Sequence, residues 1–202
     1  MAARIDKVVI SGVFSLDGSD FDVDNNVWLV GDDDEVLVID APHDAAPIVE
    51  AVAGRKVRAI VLTHGHNDHL TAAVALREAT GAPVWLHPAD RMLWDVVHPD
   101  DSPDGELADH TRFTVAGTTL EALHTPGHSP GSTCLHAADL QTVFTGDTLF
   151  HGGPGATGRS YSDEPTILDS IRTRLLTLPA DTMVKTGHGD DTTIAAEAAN
   201  IR

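Results

Sequence analysis

Thr63-His64-Gly65-His66-Asn67-Asp68-His69 is the stretch on which the reading of this chain turns. It follows Val57 to Thr63, an apolar run of the kind that forms a strand buried on both faces. It precedes Leu70 to Thr80, an Ala-rich run that reads as a helix stopped by Gly81. His64 and His66 are two apart, so in extended backbone both rings point to one side. Asp68 and His69 fall at the turn into the helix and can face a second point. Three imidazoles and a carboxylate this close together exceed what one metal ion takes from a short loop. The spacing suggests two neighbouring ions.

Further ligands are expected from other strand ends. Thr125-Pro126-Gly127-His128-Ser129-Pro130-Gly131 places His128 in a tight turn after a strand. Thr145-Gly146-Asp147-Thr148 does the same for Asp147, and Thr186-Gly187-His188-Gly189 for His188. Each is a strand, a glycine that permits a sharp turn, and one residue of ligand type. With the first motif they complete a set of five His and two Asp.

The rest of the chain reads as alternating strands and helices. Strands are expected at 8–14, 27–30 and 36–39, with a hairpin turn at Gly31 and the Asp triplet. A helix capped by Asp44 follows over 45–52. After the first motif come a strand at 83–87, a helix at 88–97, a loop over 98–110, and strands at 112–115, 119–124, 132–137 and 142–144. A Gly-rich loop covers 151–163. Glu164 to Leu178 reads as an amphipathic helix, with Ile167, Ile171, Leu175 and Leu178 on one face. A strand at 183–186 and a helix at 193–200 end the series. No linker separates two compositions, so a single domain over 1–202 is expected. The order suggests an α/β fold of αββα type: two mixed β-sheets packed together and flanked by helices.

Composition narrows the function. The 202 residues include 13 Lys plus Arg against 31 Asp plus Glu, a formal net charge of −18. Such a surface repels nucleic acid and anionic lipid, so neither is an expected partner; a small-molecule substrate is. The one cysteine, Cys134, excludes an internal disulfide framework and a thiolate metal cluster. Its place in an apolar strand suits a buried small side chain rather than a nucleophile. No signal-peptide core and no run of about 18 apolar residues is present, which makes the cytoplasm the expected location.

Taken together, these motifs resemble the metallo-β-lactamase-fold hydrolases, and particularly the small glyoxalase-II-like members. The resemblance rests on His64-x-His66-x-Asp68-His69, the Pro-Gly-His128-Ser-Pro-Gly turn, Thr-Gly-Asp147-Thr-Leu-Phe and Gly-His188-Gly. Asp40, closing Val38-Ile39-Asp40, matches the aspartate that supports the ligands from behind in that family. The likeness spans about residues 8–190. It implies that His64, His66 and His128 bind one metal ion, that Asp68, His69 and His188 bind a second, and that Asp147 bridges them. Two divalent ions are implied, with nitrogen and oxygen ligands that suit zinc and also iron or manganese.

The implied chemistry is hydrolysis of a small ester, foremost a thioester, by a bridging hydroxide that Asp68 orients as the catalytic carboxylate. A departing thiol of pKa about 8.5 needs no dedicated general acid. Alternatives within the same fold are a mononuclear-iron persulfide dioxygenase using His64, His66 and His128, and a lactonase. Departures from family patterns weigh on these. Asp147 stands where β-lactamases of the fold have Cys or Ser, and Phe150 where lactonases often have Tyr. Residues 189–202 follow the last ligand, where glyoxalase II proper carries a further helical segment that helps hold glutathione; weak turnover of glutathione thioesters is the resulting expectation. Arg159, in the Gly-rich loop, is a candidate anion contact. His43 and His151 follow strand ends and are expected near the mouth of the site.

Overall fold

In the computed structural model, which describes residues 2–201, strand β3 (Glu35–Ile39) shows how the layers arise. Side chains alternate across a strand. Val36 and Val38 therefore enter one core with Val27, Leu29, Ile48 and Leu76, while Leu37 and Ile39 enter another with Trp28, Val30, Leu120 and Phe144. Each fully buried side chain of this size contributes about 1.5–3 kcal/mol. A third core of Leu123, Cys134, Val143, Ile167, Ile171, Leu175 and Val184 completes the series. Three cores separate four layers, helix–sheet–sheet–helix.

The first sheet has the order β1 (Arg4–Leu16), β2 (Ser19–Gly31), β3, β4 (Lys56–Val61), β5 (Val84–Leu86), β6 (Gly105–Glu106). Its first three strands pair antiparallel and the remainder parallel. Helices α1 (Ala45–Val52), α2 (Asn67–Leu70), α3 (Ala73–Thr80) and α4 (Arg91–Val97) belong to this half, and its outer face packs against Ile48, Leu70, Leu76 and Trp94. The second sheet contains β7 (Arg112–Val115), β8 (Thr118–His124), β9 (Thr133–Ala137), β10 (Thr142–Gly146), β13 (Met183–Thr186) and β14 (Thr192–Thr193) in the order β14-β13-β10-β9-β8-β7. A ribbon of β11 (Leu149–Phe150) and β12 (Gly153–Pro154) folds back beside it. Helices α5 (Glu164–Ser170) and α6 (Ile194–Ala198) belong to this half. Both sheets are mixed, as the element order implied.

Several elements differ from the sequence reading. The runs at 8–14 and 27–30 are parts of one long hairpin, paired from Arg4–Gly31 to Leu16–Ser19. Its turn is Asp17-Gly18, with φ of 54° and 73°, the backbone that two-residue hairpins require. Residues 19–26 escaped notice because Asp and Asn dominate them. The far end of the hairpin projects toward solvent, so no apolar alternation was needed on both faces. The helix expected at 70–80 begins at Asn67 and breaks after Leu70. The helix at 164–178 is α-helical only to Ser170 and continues as a π turn over Ile171–Leu175. Helix α1 is capped by Asp44 as expected, but ends at Ala53 in the left-handed conformation, one residue before Gly54. Residues 105–106 of the expected 98–110 loop pair with β5. No helix among the described residues is long and apolar enough to cross a membrane.

Candidate metal centre

All seven side chains singled out from the sequence meet in one place. His64 and His66 follow β4, Asp68 and His69 lie in the short helix α2, and His128 sits between β8 and β9. Asp147 follows β10 and His188 follows β13. They form groups of His64, His66, His128; His64, His69, Asp147; and Asp68, His69, His188.

In the first group, His66 Nδ1 is 3.0 Å from His64 Nε2 and 3.0 Å from His128 Nε2. The outer nitrogens decide which ring atoms carry hydrogen. His128 Nδ1 donates to Ala156 O at 2.9 Å, which leaves Nε2 bare. The Thr63 hydroxyl donates to Asp40, so it accepts from His64 Nδ1, and His64 Nε2 is bare as well. Two lone pairs thus converge on His66 Nδ1, which has at most one hydrogen to offer. A cation resolves the conflict. Tetrahedral donors with metal–nitrogen bonds of about 2.0–2.1 Å lie only about 3.4 Å apart. Burial, then the neighbouring histidines, hold His64 well below the ordinary imidazole value; burial and His128 push His66 down to about 3. These rings are neutral.

The second group carries charge. His188 Nε2 is 3.2 Å from His69 Nε2 and 3.3 Å from Asp68 Oδ2, and the latter is 3.6 Å from His69 Nε2. Here too the outer nitrogens donate: His69 Nδ1 to Asp40 Oδ2 at 2.9 Å, and His188 Nδ1 to Asp24 O at 2.8 Å. Burial alone would lower both rings, but Asp147 and Asp68 outweigh it. His69 is raised well above its ordinary value and His188 to about 10. Asp68 and Asp147 are held below theirs: burial would raise each, and His69 and His188 together outweigh it. Two protons on imidazole thus stand in for cationic charge between two carboxylates.

Asp147 lies between the groups. Its Oδ2 is 3.6 Å from His128 Nε2 and 3.5 Å from His188 Nε2, and its Oδ1 is 3.3 Å from His69 Nε2. Oδ1 is buried without a well-formed hydrogen bond. Bare nitrogens, an orphaned buried carboxylate oxygen and nitrogen–oxygen donors at these spacings fit two divalent ions.

Side chains that sequence reasoning missed hold this arrangement. Asp40 was anticipated; it also accepts from Thr63 N at 2.7 Å, and it sits at φ 64°, a conformation few non-glycine residues adopt. Asp90 was not. Fully buried, it accepts from Gly65 N, Ser129 Oγ and Gly131 N at 2.6–2.7 Å, tying the His64–His66 loop to the His128 loop. Asn67 pairs with the backbone of β1, accepting from Ser15 N and donating to Val13 O. Asn26 and Trp28 of β2 donate to Thr186 O and so hold the His188 loop from the opposite sheet. Asn25 donates to Asp68 Oδ2. None of these follows from local spacing, because each acts across a long sequence separation.

The centre opens into a cleft of about 460 Å³ walled by Phe14, Val23, Phe150 and Ala156, with His66, Asp68, His128, Asp147 and His188 at its floor. A smaller recess beside it reaches Leu16, Arg159, Ser160 and Ser162. The Gly-rich loop docks on the hairpin tip: Ser160 N donates to Asp17, and the Arg159 guanidinium lies 4.7 Å over the Phe21 ring. Neither His43 nor His151 lines the cleft. His43 reaches the centre from the side through Asn25, and His151 is exposed on the turn after β11. Cys134 is buried in the third core, and burial pushes its thiol up to about 11.

Known proteins resemble the chain in sequence and in fold. The chain is 32% identical over 193 residues to the hydroxyacylglutathione hydrolase GloC of Haemophilus influenzae, covering 85% of this chain and 89% of that one. Its structure is similar to that of TTHA1623 in a di-iron-bound form, with a TM-score of 0.78 and 32% identity over 88% of this chain and 94% of the other. It is also similar to the BLEG-1 B3 metallo-beta-lactamase, with a TM-score of 0.80 and 29% identity over 95% and 98%. Residues 21–188, from the far end of the hairpin to the last histidine of the centre, match the metallo-beta-lactamase superfamily, and the chain belongs to it.

Proposed function

We propose that the protein is a dinuclear metal-dependent hydrolase of a small ester, foremost a thioester. One observation carries this reading: Asp147 stands between an all-imidazole group and an Asp–His–His group, each able to hold an ion. The likeness to a hydroxyacylglutathione hydrolase supports the thioester class. It also makes a hydroxyacylglutathione the first substrate to try.

Divalent ions held there would supply Lewis acidity and water that ionises near pH 7. The chain's own residues do the rest. Asp68, ionised and at the cleft floor, accepts a hydrogen from the attacking water and fixes its direction. Phe14, Val23 and Phe150 wall the acyl group from bulk solvent, which strengthens the charge interactions at the floor. Arg159, held over Phe21, faces the recess as an anchor for an anionic group of the substrate. A thiol leaves as thiolate, so no acid residue is required.

The test is a panel of thioesters of different thiols, with oxygen esters and lactones, run alongside metal quantification. The expected outcome is about two ions per chain and highest kcat/KM on a thioester. One iron per chain with oxygen uptake and no hydrolysis would overturn the reading in favour of dioxygenation.

A further inference from the structure

The amide of Asn25 stands over the second donor group. Its Nδ2 is 3.1 Å from Asp68 Oδ2, 3.3 Å from His69 Nε2 and 3.4 Å from His188 Nε2, all three atoms of that group. Asn25 is 1% exposed, and its backbone bridges to His188. At the other end of the same amide, Oδ1 lies 2.8 Å from His43 Nε2.

The polarity of this chain of contacts is forced. An ionised Asp68 only accepts, so the amide must turn its NH₂ to the carboxylate. Its oxygen therefore faces His43, and His43 Nε2 must carry a hydrogen. Burial lowers His43, so the ring is neutral and bears that hydrogen as its single one. The position of His43 is itself costly. Its backbone lies at φ 48°, left-handed space that costs a non-glycine residue about 1–3 kcal/mol. Its ring lies against Gly12 of β1, where any Cβ would collide with it. Strand β1, a strained corner after β3 and β2 thus converge to aim one amide at one half of the centre.

We propose that His43 and Asn25 form a positioning pair that sets the affinity of the Asp68–His69–His188 group for its metal ion and so makes the two ions of the centre unequal. This rests on the dinuclear reading above. Nδ2 donates to Asp68 Oδ2 and holds that carboxylate in its ligating orientation beside both histidines. His43 prevents the amide from flipping. Loss of such a partner behind a ligand costs about 10–100-fold in metal affinity.

The experiment is titration of metal-free full-length protein with Zn²⁺ alone, in competition with a chelator, for wild type, Asn25→Ala, His43→Phe and His43→Gln. Unfolding midpoints of the metal-free variants are measured beside it. The expected result is that Asn25→Ala weakens one of two binding events by about tenfold or more and leaves the other unchanged. His43→Phe should do the same more weakly. His43→Gln, whose amide restores a donor, should recover affinity. If Asn25→Ala does not fold, the Phe and Gln variants decide the matter. Equal weakening of both events, or of neither, overturns the positioning pair while the dinuclear site stands. A wild-type protein that takes up a single ion overturns the dinuclear reading and this inference with it.

Discussion

The two halves of the centre are built from nearly the same residue types and behave oppositely. In the all-imidazole group His64 and His66 shed their protons, because burial and the neighbouring rings outweigh the nearby carboxylates. His69 is buried and His188 half-buried, yet both hold their protons, because Asp68 and Asp147 lie within 3.6 Å. Burial acts the same way on both halves; the carboxylates reverse its result. A histidine's burial is therefore no guide to its charge until its neighbours are known.

The comparison breaks first at Asp147, which both halves share. Asp147→Ala should lower metal content in both and reduce hydrolysis by more than about a hundredfold, beyond the cost of losing an outer partner. Elemental analysis of the purified variant checks this; wild-type stoichiometry would count against bridging. Next come the separate halves. His128→Ala should weaken the ion of the first group and His188→Ala that of the second, each by more than about a hundredfold in turnover if hydrolysis needs both. A His188→Ala enzyme with near-full activity would sink the two-metal hydrolase.

Asp90 tests how the first half is held. Its carboxylate accepts from the Gly65 and Gly131 N–H groups and from the Ser129 hydroxyl, and truncation leaves the two buried N–H groups without that acceptor. Asp90→Ala should cost about 2–4 kcal/mol in urea unfolding and loosen the first ion more than the second.

Charge in the metal-free protein sharpens the contrast. His188 has a folded value of about 10, so its contribution to stability is complete below the ordinary 6.5 and is lost as pH rises toward 10. His66, held at about 3, acts in the opposite direction. Below 6.5 the unfolded chain binds a proton that the folded chain refuses until about 3, so stability falls with acidification. Metal-free protein should therefore melt highest near pH 6.5 and lower on both sides; a curve that is flat or climbs through pH 9 would contradict the charged second half. The smallest effect is expected outside the centre. Arg159→Ala should raise KM for an anionic substrate by several-fold, about 1 kcal/mol, with kcat nearly unchanged.

Much of this was legible in the chain because a ligand loop is a local object. Four of the seven donors stand within His64–His69, and the other three each follow a strand and a glycine. The αββα order was legible for a similar reason, since Val36 to Ile39 and Ala59 to Leu62 are apolar on both faces and need cover on both. The hairpin of two 13-residue strands was not, because the Asp-rich first half of its return strand is stabilised by pairing with β1 rather than by burial. The π turn at Ile171–Leu175 was not either, since its residues keep the apolar spacing of an ordinary helix.

The sequence by itself therefore determined the family, the layered fold and the candidate donors, because each depends on residue type and short spacing. Tertiary structure alone decided which rings carry charge and which partners hold them in place. Asp40 reaches His69 across 29 positions, Asp90 reaches Gly131 across 41, and Asn25 reaches His188 across 163. Hydrogen bonds and Coulomb forces act through distances of about 3 Å in space. Only the packing of two sheets brings such distant positions that close.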